Sequence, residues 1–199
     1  ADYRPYKSRR PLDQWIISEL NRTVEQVTVA MDAYDNYGAC QRIIEYVDGL
    51  SNWYVRRTRD RFWAEDKRDA DKLDAYWTLY ECLVTTAKLV APFVPFLAET
   101  MWQNLVADVF GDRAPESVHL CDYPKADRTA IDDVLLERMS LGREIASLGR
   151  AARTAAKLKV RQPLSKVEIV LADDKHRQWL ESADAEIRDE LSVKKVEYT

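Results

Sequence analysis

The clearest structural signal in the sequence is the stretch LDAYWTLYECLVTTAKLV at residues 73–90. Its apolar residues are spaced three and four positions apart. This spacing places apolar side chains on one face of a helix and is typical of the seam between antiparallel helices. Pro92 and Pro95 follow at once and end the helix. The stretch therefore predicts one long helix of an antiparallel bundle. Its apolar positions recur at steps of three and four residues, at Leu73, Tyr76, Tyr80, Leu83, Ala87 and Val90.

Similar repeats on both sides of this stretch predict the other helices of the bundle. A first helix begins near Leu12, a second leads into an arginine-rich block, and a fourth follows Pro95. A long fifth helix is predicted over residues 130–157. The same helical spacing predicts an inward face for Ile16, Leu20, Val24, Val27, Met31, Tyr34, Ile43, Val47, Leu50, Tyr54, Leu97, Met101, Leu105, Leu135, Met139, Ile145 and Leu148.

The pattern changes after Pro163. Residues 166–171 and 193–198 alternate between apolar and polar side chains, as strands do. Residues 174–190 between them have a helical pattern, and a helical connection predicts that the two strands are parallel. Farther upstream, residues 118–120 are predicted to form a short extended piece.

These patterns together predict a mainly α fold: an antiparallel helix bundle with a small C-terminal strand–helix–strand α/β appendage. The predicted domains are a basic extended lead-in over residues 1–11, the bundle over 12–161 and a subdomain over 162–199. Two strands are too few for an independent sheet, so this subdomain is expected to be truncated. The chain does not begin with Met, and we expect it to be a fragment of a longer protein.

Composition narrows the class of protein. Of the 199 residues, 46% are hydrophobic and 32% are charged, which is typical of a globular protein and not of a disordered one. The cysteines Cys40, Cys82 and Cys121 and the two histidines have no ligand-like spacing, so no metal site is predicted and the thiols are expected to be reduced in a cytoplasmic protein. No apolar run approaches the ~20 residues of a membrane span, and no catalytic constellation is visible.

The stretch SNWYVRRTRDRFW at residues 51–63 is the first basic element. Its four arginines face only Asp60 as an opposing charge. Guanidinium groups suit phosphate oxygens and aromatic faces suit unpaired bases, so this composition is consistent with RNA binding. The alternative interpretation is that the aromatic side chains lie in the core and that the arginines form ion pairs with the acids of residues 65–74. For the arginines as a group we favour RNA contact. The predicted RNA-binding residues here are Trp53, Arg56, Arg57, Arg59 and Arg61.

A second basic element lies on the predicted fifth helix. From Ile145 through Lys166 the sequence has six basic residues and no acid. Basic residues at helical spacing form one stripe, which suits a phosphate backbone, while the alternative is a solvated helix face. The predicted RNA-binding residues of this stripe are Arg150, Arg153, Lys157 and Arg161. They follow Arg143 at steps of seven, three, four and four residues.

Several motifs resemble the anticodon-binding region of isoleucyl-tRNA synthetases, which are class I enzymes. The stretch at residues 51–63 is similar to the isoleucyl signature, and KVRQPL at residues 159–164 extends the likeness. APFVPFLAE at residues 91–99 resembles a helix junction that valyl and leucyl relatives share. Gln14 and Ser192 depart from the residues common in the family, Arg and Asn. The resemblance covers nearly the whole chain.

The resemblance implies the fold of a class I anticodon-binding bundle and a role in recognising the anticodon stem and loop of isoleucine tRNA. The family's His-Ile-Gly-His and Lys-Met-Ser-Lys-Ser signatures are absent here. ATP and magnesium are therefore expected to act in a catalytic domain elsewhere in the same polypeptide, and no cofactor or catalytic residue is expected in this chain. The expected protein is a cytoplasmic monomer. The open alternatives are a valyl or leucyl synthetase and a helical protein-interaction domain that uses the arginine block.

Overall fold

The structure is a computed structural model that describes residues 3–159, 161–171 and 174–199. The chain divides into two compact units, Ala1–Asp132 and Asp133–Thr199, which we call the N-terminal unit and the C-terminal unit. Residues 1 and 2 of the predicted lead-in, and Val160 of the motif at 159–164, lie outside the described residues.

The N-terminal unit is helical. Asp35 and Asp69 cap the starts of α2 and α4, because their carboxylates accept hydrogen bonds from the backbone N–H groups of Gly38 and Asp71. Pro11 and Pro95 lie at the starts of α1 and α5. Proline is suited to this position because the backbone N–H group that it lacks would have no hydrogen-bond partner within the helix. The helices are α1 (Pro11–Asp32), α2 (Asn36–Asp48), α3 (Arg59–Trp63), α4 (Ala70–Val90), α5 (Pro95–Trp102) and α6 (Asp108–Phe110), and π-helical turns at Gly49–Val55 and Gln103–Ala107 extend α2 and α5.

The core of the N-terminal unit lies where α1 packs against α2 and α4, and where α4 packs against α5. The largest fully buried side chains there are Trp15, Tyr46, Tyr54, Ile16 and Leu89. Burial of each large apolar side chain stabilises the fold by about 1.5–3 kcal/mol. This burial contributes most of the stability of such helices, since helix propensity alone is weak.

The C-terminal unit combines α7 (Asp133–Ala155), β1 (Val167–Ile169), α8 (Arg177–Ser182), α9 (Asp184–Leu191) and β2 (Val196–Tyr198). The two strands pair in parallel, with Val167 opposite Val196. Their small core contains Ile145, Leu180, Ile187, Leu191 and Val196. A side chain at Gly149 of α7 would overlap Leu191 of α9, so glycine permits this close approach.

The predicted fold class is confirmed, and so is the parallel pairing of the two strands. The prediction of an extended piece at residues 118–120 is wrong, because Val118–Leu120 is a 3₁₀ turn. The predicted inward face is also wrong at several positions. Tyr34 lies past the end of α1 in a left-handed conformation and is 92% exposed. The other large side chains predicted inward that are exposed are Val47, Tyr76, Leu97 and Leu148.

The boundaries of the units differ from the predicted domains. The boundary between the two units lies after Asp132, so that α7 belongs to the same unit as the strands. The prediction places residues 12–161 in the bundle. The N-terminal segment is partly a 3₁₀ turn, Tyr6–Ser8. Within it, Arg9 is buried and donates hydrogen bonds to Thr78 and Glu81 on α4. Arg9 therefore anchors the segment to the bundle.

Candidate nucleic-acid interface

The π-helical turn at Gly49–Val55 decides which side chains of the first basic element face outward. A π turn inserts one extra residue into a helix and so rotates the residues after it relative to those before it. Trp53 and Tyr54 lie in the core, and Trp53 is only 7% exposed. Arg56 is exposed and Arg57 is half-buried.

Arg61 is held inside the N-terminal unit. Its Nη1 and Nη2 atoms donate to the two carboxylate oxygens of Asp13 at 2.9 and 2.7 Å. Nη2 also lies 3.1 Å from the Asp71 carboxylate on α4. The Tyr54 hydroxyl donates to the same Asp13 carboxylate at 2.6 Å. Arg61 therefore joins α1, α3 and α4, and with a side chain only 9% exposed it has no access to RNA phosphates.

Electrostatics fix the charge states in this cluster. Burial lowers the pKa of Arg61, but its hydrogen bonds to Asp13 and the charges of Asp13 and Asp71 raise it by more. Burial, and then the charge of Asp13, raise the pKa of Tyr54 far above its ordinary value. The arginine therefore stays charged and the tyrosine stays protonated, so the hydrogen bonds keep one fixed polarity.

The arginines at the surface of this segment are Arg56, Arg57 and Arg59. Arg56 donates from Nε to the carbonyl oxygen of Asn52 at 3.0 Å. The guanidinium carbon of Arg57 lies 5.5 Å from the centroid of the Trp53 ring. These contacts hold the two arginines against the π-helical turn that precedes them. Three of the predicted arginines thus lie at the surface within one stretch of four residues, whereas Arg61 and Trp53 lie in the interior.

One aromatic residue of the segment that we did not select from the sequence is exposed. Trp63, the last residue of α3, is 67% exposed. The guanidinium carbon of Arg59 lies 4.0 Å from the centroid of its ring. The acidic residues Asp66 and Asp69, which mark a loop after α3, are a signal for this exposure, because a helix that ends leaves its last side chain without a following turn to pack against.

The second basic element lies in the C-terminal unit, and the structure corrects it at Arg153. That side chain is buried, and its guanidinium donates to the carbonyl oxygens of Lys159, Gln162, Leu191 and Ser192. It joins the end of α7 to the loops before β1 and after α9. Arg153 is therefore a structural residue and is unavailable to a phosphate.

The other members of the second element share no helical stripe. Helix α7 ends at Ala155, and Lys157 has a positive φ of 55°, so the four-residue steps to Lys157 and Arg161 do not place them on one face. Both side chains are exposed. Arg150 forms an ion pair with Glu190 on α9.

Within residues 3–159, 161–171 and 174–199, no group of three or more His, Cys, Asp or Glu side chains is placed to hold a metal ion. No helix of the described chain has the length and apolarity needed to cross a membrane.

Comparison with known proteins gives a consistent result. The family model described as the anticodon-binding domain of tRNA ligase matches residues 13–169. An isoleucine–tRNA ligase of Dehalococcoides mccartyi is 50% identical over 92% of this chain and 18% of its own length. That of Clostridium acetobutylicum is 43% identical over 99% of the chain and 18% of its own length. That of Streptomyces coelicolor is 48% identical over 84% of the chain and 16% of its own length.

Proposed function

Because this chain belongs to the family of anticodon-binding domains of tRNA ligases, we propose that it recognises the anticodon stem and loop of isoleucine tRNA within an isoleucine–tRNA ligase. The chain spans about 18% of the length of the curated relatives it matches. Ligation of isoleucine to tRNA with ATP and magnesium is therefore assigned to the whole protein. The identity of 43–50% to isoleucine–tRNA ligases favours this amino acid over the valyl and leucyl alternatives.

The observation that carries the proposal is the cluster of Arg56, Arg57 and Arg59 at the surface of a segment anchored from beneath by Arg61. Phosphate contacts from such arginines fix the orientation of an RNA, while contacts to base edges and faces supply sequence preference. The contacts of Arg61 with Asp13 and Asp71 take one positive charge away from the surface. They also fix the backbone of the segment that presents the other three arginines. The arrangement suits positioning of a stem and loop.

The C-terminal unit supplies a second set of cations to the proposal. Lys157 and Arg161 are exposed in the segment between α7 and β1, where no acidic residue interrupts the sequence from Ile145 to Lys166. We assign them to non-specific phosphate contact. Arg153 takes part only by holding this segment in place through its four backbone carbonyl partners.

The remaining parts of the proposal follow from the resemblance. No residue of this chain is assigned a catalytic step or a cofactor. ATP and magnesium belong to a catalytic domain in the same polypeptide, and the ligase is proposed to act as a cytoplasmic monomer. The contribution of this chain to the reaction is to hold the tRNA so that its acceptor end reaches that domain.

The test is a titration of the 199-residue chain with isoleucine tRNA and with an unrelated tRNA at increasing salt. We expect tighter binding of isoleucine tRNA and a log–log salt slope of about −0.7 to −0.9 for each phosphate contacted. Equal affinity for both tRNAs together with no salt dependence would overturn the proposal.

A further inference from the structure

The exposed pair Arg59 and Trp63, the first and last residues of α3, has no role in the core. Trp63 is 67% exposed and carries the Arg59 guanidinium over one ring face at 4.0 Å. We propose that Trp63 and Arg59 form a stacking platform for an unpaired base of the bound RNA. This inference rests on the proposed function and adds to it a residue that reads the single-stranded part of the stem-loop.

The platform is held in a fixed position by its neighbours in sequence. Phe62 packs edge-on against Tyr76 of α4, with ring centroids 5.2 Å apart. The Lys72 ammonium donates to the carbonyl oxygen of Ala64 at 2.6 Å. Arg61 is bound to Asp13 through both terminal nitrogens. The residues on both sides of Trp63 are therefore anchored in the bundle, and the indole is directed outward without a flexible backbone beneath it.

The chemistry of the pair suits a base better than it suits a duplex. One face of the indole carries the guanidinium, and an exposed fraction of 67% leaves the opposite face to solvent. Base stacking on an aromatic side chain is tolerant of sequence, because every base has a π face. Arg59 polarises the ring on one side and keeps its positive charge for a neighbouring phosphate. A fully paired stem offers phosphates but no free base face.

The positive charge on the N-terminal side of Trp63 suits the phosphates of an RNA. Arg56, Arg57 and Arg59 precede it within one short segment, and Asp60 is the only acid among residues 56–63. Trp53, the other tryptophan of this segment, is buried and has no open face. Trp63 is therefore the residue of this segment that combines an accessible indole with adjacent cations.

The N-terminal unit contains a matched control for this pair. The guanidinium carbon of Arg113 lies 5.8 Å from the centroid of the Phe110 ring, beyond the end of α6. The Phe110 side chain is 39% exposed, and acidic Asp108 and Asp112 flank the pair. It is an arginine–aromatic contact without the cluster of cations, so removing it tests whether any such contact affects RNA binding.

The experiment uses the 199-residue chain and an RNA hairpin that reproduces the anticodon stem and loop of isoleucine tRNA, with 2-aminopurine at successive loop positions. Loss of one stacked base weakens binding by about 5- to 150-fold, so we expect this effect for Trp63→Ala and Trp63→Leu. Trp63→Phe keeps an aromatic face and should retain most of the affinity. Arg113→Ala and Phe110→Ala should bind as the unchanged chain does.

Two further readouts separate stacking from a general loss of charge. In the unchanged chain, 2-aminopurine fluorescence at one loop position should be quenched on binding, and Trp63→Leu should abolish that quenching. The affinity for a fully paired RNA of the same stem should be the same for both proteins. Circular dichroism spectra that match confirm that the variants are folded.

The outcomes distinguish this inference from the proposed function. If the unchanged chain binds the hairpin and Trp63→Leu binds it equally well, the stacking platform is overturned while RNA recognition stands. If Trp63→Leu weakens the hairpin and the paired RNA by the same factor, stacking on an unpaired base is likewise overturned. If the unchanged chain binds neither RNA, both the proposed function and the platform are overturned.

Discussion

Replacing Arg61 with alanine removes the guanidinium that neutralises Asp13 in the core of the N-terminal unit. The Asp13 side chain is fully buried, with 0% of its surface exposed, and the Arg61 side chain is 9% exposed. Of the three hydrogen bonds that Asp13 accepts from Arg61 and Tyr54, only the 2.6 Å bond from the Tyr54 hydroxyl would remain. Removing one partner of a buried ion pair costs about 3–5 kcal/mol, so we expect the free energy of unfolding to fall by about this amount.

The assay is urea-induced unfolding followed by far-ultraviolet circular dichroism, with the midpoint and the slope of the transition fitted separately. Arg68→Ala is the matched control, because Arg68 is an exposed arginine of the same unit. Its free energy of unfolding should change by no more than about 0.5 kcal/mol.

A double substitution sharpens this test. Asp13→Leu combined with Arg61→Leu removes both charges together, and an apolar pair of similar volume often replaces a buried ion pair without loss of stability. We expect the double variant to be more stable than Arg61→Ala. A loss below about 1 kcal/mol for Arg61→Ala would refute the claim that this arginine holds the bundle together.

Arg153→Ala should lower the urea midpoint of the C-terminal unit, and Arg153→Lys should fail to restore it, because a single ammonium group cannot reach four carbonyl oxygens. Arg57→Ala should weaken tRNA binding and reduce the magnitude of the salt slope by about one, with an unchanged unfolding curve. The free energy of unfolding should decrease as the pH rises above about 9. Burial raises the pKa of Cys82 from 9.0 to about 12 and raises that of Tyr46 above 10.0. The folded chain therefore keeps protons that the unfolded chain loses. Urea midpoints measured between pH 8 and about 10.5 test the sign, and a midpoint that rises with pH would contradict it.

The helices could be predicted from the sequence because their signals are local. The repeat at residues 73–90 and the prolines after it set the extent of α4 to within a few residues, since α4 is Ala70–Val90. The alternation of residues 166–171 and 193–198 located the strands, although the paired parts are shorter, at Val167–Ile169 and Val196–Tyr198. Turn and helix signals of this kind depend on few residues and little tertiary context.

The roles of individual arginines could not be predicted from the sequence, because they depend on contacts between distant residues. Arg61 is interior because Asp13 and Asp71 meet at its position, and no spacing within residues 51–63 shows this. The π turn at Gly49–Val55 also changes the register on which a helical projection of this segment relies. A helix that continues to residue 157 would place Arg153 on a surface stripe, whereas α7 ends at Ala155 and the loops fold back onto the Arg153 guanidinium.

We propose that this chain recognises the anticodon stem and loop of isoleucine tRNA through the surface arginines Arg56, Arg57 and Arg59. The most direct measurement is the affinity of the chain for an unrelated tRNA into which the isoleucine anticodon stem and loop have been transplanted. We expect the transplanted tRNA to bind as tightly as isoleucine tRNA, and Arg57→Ala to weaken both equally. A transplanted tRNA that binds no more tightly than its unrelated parent would contradict the claim.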